Sequence, residues 1–252
     1  MIQVPIKTKK AVNCSTLLTI NSGKVQAAKN RQTIDSLNIS ENAPVDIERT
    51  TIGHTTAAAM PRQMQIPNLR QTVQKGQKIS LQLDNGISMV RACFGWNTSN
   101  ALCDVDVSAF LLDKNKRILG DDWFVFYGQP VSPDKSAVWQ SVNNVDREII
   151  DINLEKINSN VERIVFVLTI NDAFAKNLHF GMLQDAYVRI LQAKDNTELV
   201  SFKMEDYYDN VISMMIGELY RYQGAWKFYA VGNGMAKDLA GICQLYGVEV
   251  SG

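Results

Sequence analysis

"ERIVFVLTI", residues 162–170, is the stretch on which the fold turns. Both of its alternating sets are apolar: Ile164, Phe166, Leu168 and Ile170 on one side, Val165 and Val167 on the other. Side chains of a strand alternate between the two faces of a sheet, so a strand apolar on both faces is covered on both. It belongs in the middle of a sheet. Just upstream, "EIIDINL" (148–154) alternates instead, with Ile150, Ile152 and Leu154 inward and Asp151 and Asn153 outward, the pattern of a sheet with one face toward water.

Moving outward, short apolar or alternating runs recur, punctuated by Gly, Asn, Asp and Pro: "VDVSAFLLD", "WFVFYGQ", "DAYVRILQA", "LVSFKM", "VISMMIGELYRY" and "AWKFYAV". Almost no helical period separates them, which predicts an all-β sandwich of two mostly antiparallel sheets rather than a βαβ fold. "KISLQL", "DNG" and "ISMVRACFGW" (78–96) read as a hairpin about a tight turn. In "ELYRYQGAWKFYAVG" (218–232) the aromatic density suggests a stacking surface. Its alternation, with Trp226, Phe228 and Ala230 against Lys227, Tyr229 and Val231, favours a hairpin with one core face and "YQGAW" as its turn. "MAKDLAGICQLYG" (235–247) has Leu239, Ile242, Cys243 and Tyr246 at helical spacing and Gly247 as a stop, so a C-terminal helix closes the fold.

The composition is uneven along the 252 residues. All 21 Phe, Tyr and Trp lie beyond residue 74, starting at Phe94. Residues 1–74 carry nine Lys and Arg against four acids, an excess of +5 that residues 75–252 balance with −5. A segment without large side chains has little to offset the entropy of ordering its backbone. The expectation is therefore an N-terminal extension, residues 1–74, mobile or partner-dependent, followed by a sandwich domain, 75–252.

Several function classes are disfavoured. Basic and acidic residues balance at 26 each, and no extended basic run interleaved with aromatics appears, so nucleic acid is not an expected partner. No apolar run approaches the length of a membrane span, and the start, "MIQVPIKTKKAVNC", has no secretory-signal pattern. Cys14, Cys93, Cys103 and Cys243 form no CxxC pair. With only His54 and His179 beside them they read as reduced structural thiols of a cytoplasmic protein rather than a zinc site. For catalysis, His179 in "KNLHFGM" is the one obvious base, and its context marks only a loop or packing residue, so no enzyme activity is expected. "VGNGMAK" (231–237) has Lys237 where a dinucleotide-binding turn needs its third glycine; Gly232 and Gly234 read as permitting a tight strand-to-helix turn.

"CDVDVSAFLLD" (103–113) is different. Asp104 and Asp106, two apart in a strand, project from one face about 6.5–7 Å apart at Cα. The bland reading has both solvated near the loop "NTSNALC". The chemical reading is that the repulsion between them is relieved by a divalent cation such as calcium, which takes six to eight oxygens in flexible geometry. Further oxygen donors lie in loops: Asp121 and Asp122 in "GDDW", Asn143, Asn144, Asp146 and Glu148 in "SVNNVDRE", and Asp172 in "TINDAF". Asn and Asp are also ordinary turn residues.

The order of these motifs resembles the TerD domain family of tellurite-resistance and bacterial stress proteins. It runs from "VQKGQKISLQL" through "FGWN", "CDVDVSAFLLD", "WFVFYGQPVSPD", "RIVFVLTINDA" and "HFG" to "GELYRYQGAWKFYAVGNGMAKDLAGICQLYGV", about residues 73–249. The resemblance implies a calcium-binding β-sandwich without catalysis, acting in resistance to tellurite, other chemical stresses, and some phage and colicins. Asp104 and Asp106 match the family's paired aspartates, and Asp172 matches its "DA" after the buried strand. The family's calcium-associated Gly-Asp-Asn-x-Thr-Gly loop is not intact in "SPDKSAVWQSVNNVDREI", where Asn143 or Asn144 is the position left to supply an oxygen. Trp123 stands where the family is often acidic. The resemblance thus implies calcium bound weakly, or with one site lost. The alternative is a scaffolding protein with a degenerate metal site that assembles, or binds a protein partner, through residues 1–74.

Overall fold

The computed structural model describes residues 12–13, 63–83, 88–141 and 145–251. The strands are β1 (Val12–Asn13), β2 (Lys78–Ser80), β3 (Met89–Thr98), β4 (Val105–Leu112), β5 (Phe124–Val125), β6 (Ala137–Ser141), β7 (Glu148–Asn153) and β8 (Arg163–Ile170). A single helical turn, α1 (Ala173–Lys176), leads to β9 (Leu183–Gln192), β10 (Glu198–Lys203), β11 (Ser213–Tyr222), β12 (Ala225–Met235), helix α2 (Leu239–Tyr246) and β13 (Val250–Ser251). One sheet has the order β10-β9-β3-β7-β6 and the other β2-β12-β11-β8-β4-β5, and every pairing within them is antiparallel. β1 and β13 form a separate parallel pair. The expected two-sheet sandwich with a C-terminal helix is what forms.

β8 lies inside the six-stranded sheet, between β11 and β4. Ile164, Phe166, Leu168 and Ile170 enter the core between the sheets, where Phe166 meets Phe94 with ring centroids 5.3 Å apart. Val165 and Val167 face outward, yet are buried, because Ile242, Cys243 and Tyr246 of α2 close over them together with Phe110, Leu112, Phe124 and Phe126. The two apolar sets of this strand therefore have two different covers. α2 starts at Asp238, whose carboxylate accepts the Gly241 N–H at 2.9 Å, and stops at Gly247. β7 behaves as its alternation requires, with Ile150 and Ile152 fully buried and Asp151 outward, paired with Arg91 at 2.7 Å.

Two local expectations fail. "KISLQL" and "ISMVRACFGW" do not pair: β2 sits beside β12 in one sheet, and β3 between β7 and β9 in the other. The "DNG" turn itself, 84–86, lies outside the described residues. β3 is buried along almost its full length and takes a long neighbour on each side, which leaves no edge for β2. Second, Gly232 and Gly234 lie within β12, not in the turn to the helix. The register skips between Met215/Asn233 and Gly217/Ala230, so β12 carries one extra residue, and Gly232 takes φ +59° there, the left-handed conformation of a bulge glycine.

The chain meets the sandwich before Gln74. Met64 N–H donates to Asn97 Oδ1 at 2.7 Å, and Arg70 and Gln71 N–H both donate to Glu198 Oε1 at 2.8 and 2.7 Å. Ser201 N–H then donates to the Gln71 carbonyl and Val73 N–H to the Ser201 carbonyl, which covers the edge of β10. Gly76 N–H reaches the Ala230 carbonyl and so carries the segment across to the other sheet.

Candidate functional site

β5 pairs with β4 only at Ala109 and Phe110, so the edge of β4 is open nearer its start. Glu148, from β7 of the opposite sheet, fills part of that opening. Its Oε2 accepts the Val107 N–H at 3.2 Å and the Trp139 indole N–H at 2.6 Å, and the side chain is buried. Asp106 is one residue away and 7% exposed, while Asp104, just before the strand, is exposed. The two aspartates thus differ in solvation. Tyr127 stands beside them: its burial, then the charges of Asp106, Asp104 and Glu148 in that order, push its hydroxyl well above the ordinary tyrosine range. Three carboxylates and a protonated phenol therefore share one end of the sandwich.

The other candidate ligands divide. Asn171 N–H donates to the Asp104 carbonyl at 2.8 Å, which brings Asp172 to this same end. There Asp172 adopts φ +52° and pairs with Lys176 at 3.2 Å. Asn143 and Asn144 lie outside the described residues, in the connection between β6 and β7 whose last pair is Ser141 and Glu148. Asp146 is turned to the outer face of the five-stranded sheet. It takes a two-pronged ion pair from Arg189, at 3.0 and 2.7 Å, and the Tyr187 hydroxyl at 2.9 Å. Asp121 and Asp122 form a 3-10 turn before β5. Because Phe124 pairs with Phe110, that turn lies toward the far end of β4, on the order of 15–20 Å along the strand from Asp106. Asp121 there accepts the Glu249 N–H at 3.0 Å.

Sequence reading passed over Tyr127 and Trp139. Each had a signal, since a buried phenol or indole needs a polar partner and so points to one. It also passed over Asp134, whose Oδ1 accepts the Ser132 hydroxyl at 2.7 Å and the Ser136 N–H at 2.9 Å, while Oδ2 accepts the Asn158 N–H at 2.8 Å. His179 lies in a loop between buried Leu178 and Phe180, with its Nδ1 3.5 Å from the Asp209 carboxylate.

Among the described residues, no three of His, Cys, Asp and Glu come close enough together to hold a metal ion by themselves. The side chains at the end of β4 are oxygen donors, the kind a hard cation takes, so they suit calcium in type; a full shell would draw on further oxygens.

The TerD domain model matches residues 69–246 of this chain. The chain belongs to the TerD family. It is 35% identical over 189 residues to the tellurium resistance protein TerD of Serratia marcescens, covering 71% of this chain and 98% of that one. It is 36% identical over 186 residues to general stress protein 16U of Bacillus subtilis, covering 70% and 96%. A crystal structure of a homologue of telluride resistance protein from Streptomyces coelicolor aligns with 18% identity and a TM-score of 0.47, over 65% of this chain and 97% of that one. These relatives support a stress-response role for this TerD-family chain. No helix among its described residues is long and apolar enough to cross a membrane.

Proposed function

We propose that this TerD-family protein is a cytoplasmic, calcium-binding, non-enzymatic component of the response to tellurite or other chemical stress, and to phage or colicins. What carries the calcium reading is the grouping of Asp104, Asp106 and Glu148 around the open edge of β4. Asp104 and Asp106 would hold the ion, with Asn143 and Asn144 as further oxygen donors offered by the sequence. Bound calcium would supply positive charge against carboxylates that repel one another. Glu148 anchors β7 and Trp139 to β4, so its position ties the site to the packing of the two sheets. Neutralising this end would tighten the loops around it and alter a surface that a partner protein could read.

The test is thermal unfolding of the full chain with calcium and with chelator. Calcium at about 100 times its dissociation constant should stabilise the fold by about 2.7 kcal/mol, a rise in melting temperature of roughly 5–10 °C. Asp104→Asn with Asp106→Asn should abolish that rise. Identical melting curves in calcium and chelator would remove the metal from this account.

A further inference from the structure

The outer face of the six-stranded sheet is covered unequally. α2 closes over β4, β5 and β8 and reaches Met215 of β11 and Met235 of β12, while the strip at the hairpin end of β11 and β12, with β2 beside it, remains partly exposed on that side. The ladder sets two rows across it. Arg163, Tyr220 and Lys227 stand side by side in one, and Glu218, Tyr229 and Lys78 in the next. Tyr222, 49% exposed, extends the strip at the hairpin end.

The charges on this strip are of one sign once its pairs are counted. Glu218 is neutralised by Arg163 at 2.9 Å. Lys78 lies over the Tyr229 ring at 4.7 Å and Lys227 over the Tyr222 ring at 4.3 Å, so each ammonium sits beside an aromatic face. Two lysines interleaved with three tyrosines on a partly exposed antiparallel face are suited to a flexible polyanion that carries flat rings: phosphates meet the ammonium groups and bases stack on the phenols. The chain's own N-terminal segment, with its excess of positive charge, has the wrong sign to lie there.

We propose that this strip binds single-stranded nucleic acid without strict sequence preference. Sequence reading disfavoured such a partner because basic and acidic residues balance and no basic run interleaved with aromatics appears; Tyr220, Tyr222, Lys227 and Tyr229 share one stretch of chain, and the strand register adds Lys78 and Arg163 to it.

The experiment titrates the full chain into a fluorescently labelled 12-nucleotide oligouridylate and its oligothymidylate counterpart, followed by anisotropy. Saturable binding is expected, weakening about sevenfold between 50 and 200 mM salt, as two phosphate contacts to a single strand require. Tyr220→Leu with Tyr229→Leu should weaken it at least tenfold. Lys78→Gln with Lys227→Gln should weaken it and flatten the salt dependence, and this pair carries the test if the tyrosine variant fails to fold. A duplex of equal length and inorganic polyphosphate should compete poorly. The proposal is overturned by no binding, by affinity that both variant pairs retain, or by polyphosphate competing as well as the oligonucleotide. It is equally overturned if light scattering shows that the strip instead pairs two copies of the chain.

Discussion

At the scale of single residues, Asp134 shows how a carboxylate can serve structure and not a ligand site. Partial burial opposes its ionisation, but the N–H groups of Ser136 and Asn158 and the Ser132 hydroxyl outweigh that and hold its carboxyl below the ordinary aspartate range. The folded state therefore stays ionised at pH values where the unfolded chain takes up a proton. The stabilisation is fully present above the unfolded value of about 3.9 and is lost as pH falls through the lower folded one. Asp134→Ala should cost about 2 kcal/mol at neutral pH in denaturant unfolding, and most of that difference should vanish at acid pH. A cost that is the same at both ends of the range would contradict it. Sequence reading passed over Asp134 because Asn158, 24 residues away, meets it only in the folded loop. Asp146 is the opposite case: it was grouped with the ligands by its neighbours in the chain, while the bend just before β7 turns it to Arg189 on the far face, against the alternation that points Glu148 inward.

At the scale of elements, the hairpin expected of β11 and β12 forms and the one expected of β2 and β3 does not. Both had a turn signal. A turn reverses the chain, but it does not choose which strand receives the ladder hydrogen bonds. In the first case the flanking strands pair over most of their length, from Tyr222 with Ala225 to Ser213 with Met235. The two-residue turn between them places Gln223 at φ +51° and Gly224 at φ +79°, both left-handed, as a tight hairpin of this hand requires. Glutamine pays a steric penalty there that asparagine largely avoids. Gln223→Asn should raise stability by about 0.5–1 kcal/mol, seen as a higher denaturant midpoint with an unchanged slope. A lower midpoint would show that the turn is not what limits this hairpin.

At the scale of the whole molecule, the stretch 63–73, just before the sandwich begins, is tied to it. Contacts of Met64, Arg70, Gln71 and Val73 with Asn97, Glu198 and Ser201 bind it along the five-stranded sheet. A chain starting at residue 75 should therefore be less stable than one starting at 63 by roughly 3 kcal/mol, a fall in melting temperature of roughly 6–12 °C by scanning calorimetry. Equal melting temperatures would show that these contacts add nothing. Sequence by itself determined the strand-rich class, the central place of "ERIVFVLTI", the closing helix and the family, because these rest on local periodicity and on motif order, which are written along the chain. Only the tertiary structure decided that Val165 and Val167 are covered by a helix, that Glu148 crosses to β4, that Asp121 and Asp122 stand apart from Asp104 and Asp106, and that Lys78 joins the tyrosines and Lys227 of the β11–β12 hairpin on one face. Each of those depends on strand order and register, and register is set by the packing of residues far apart in sequence.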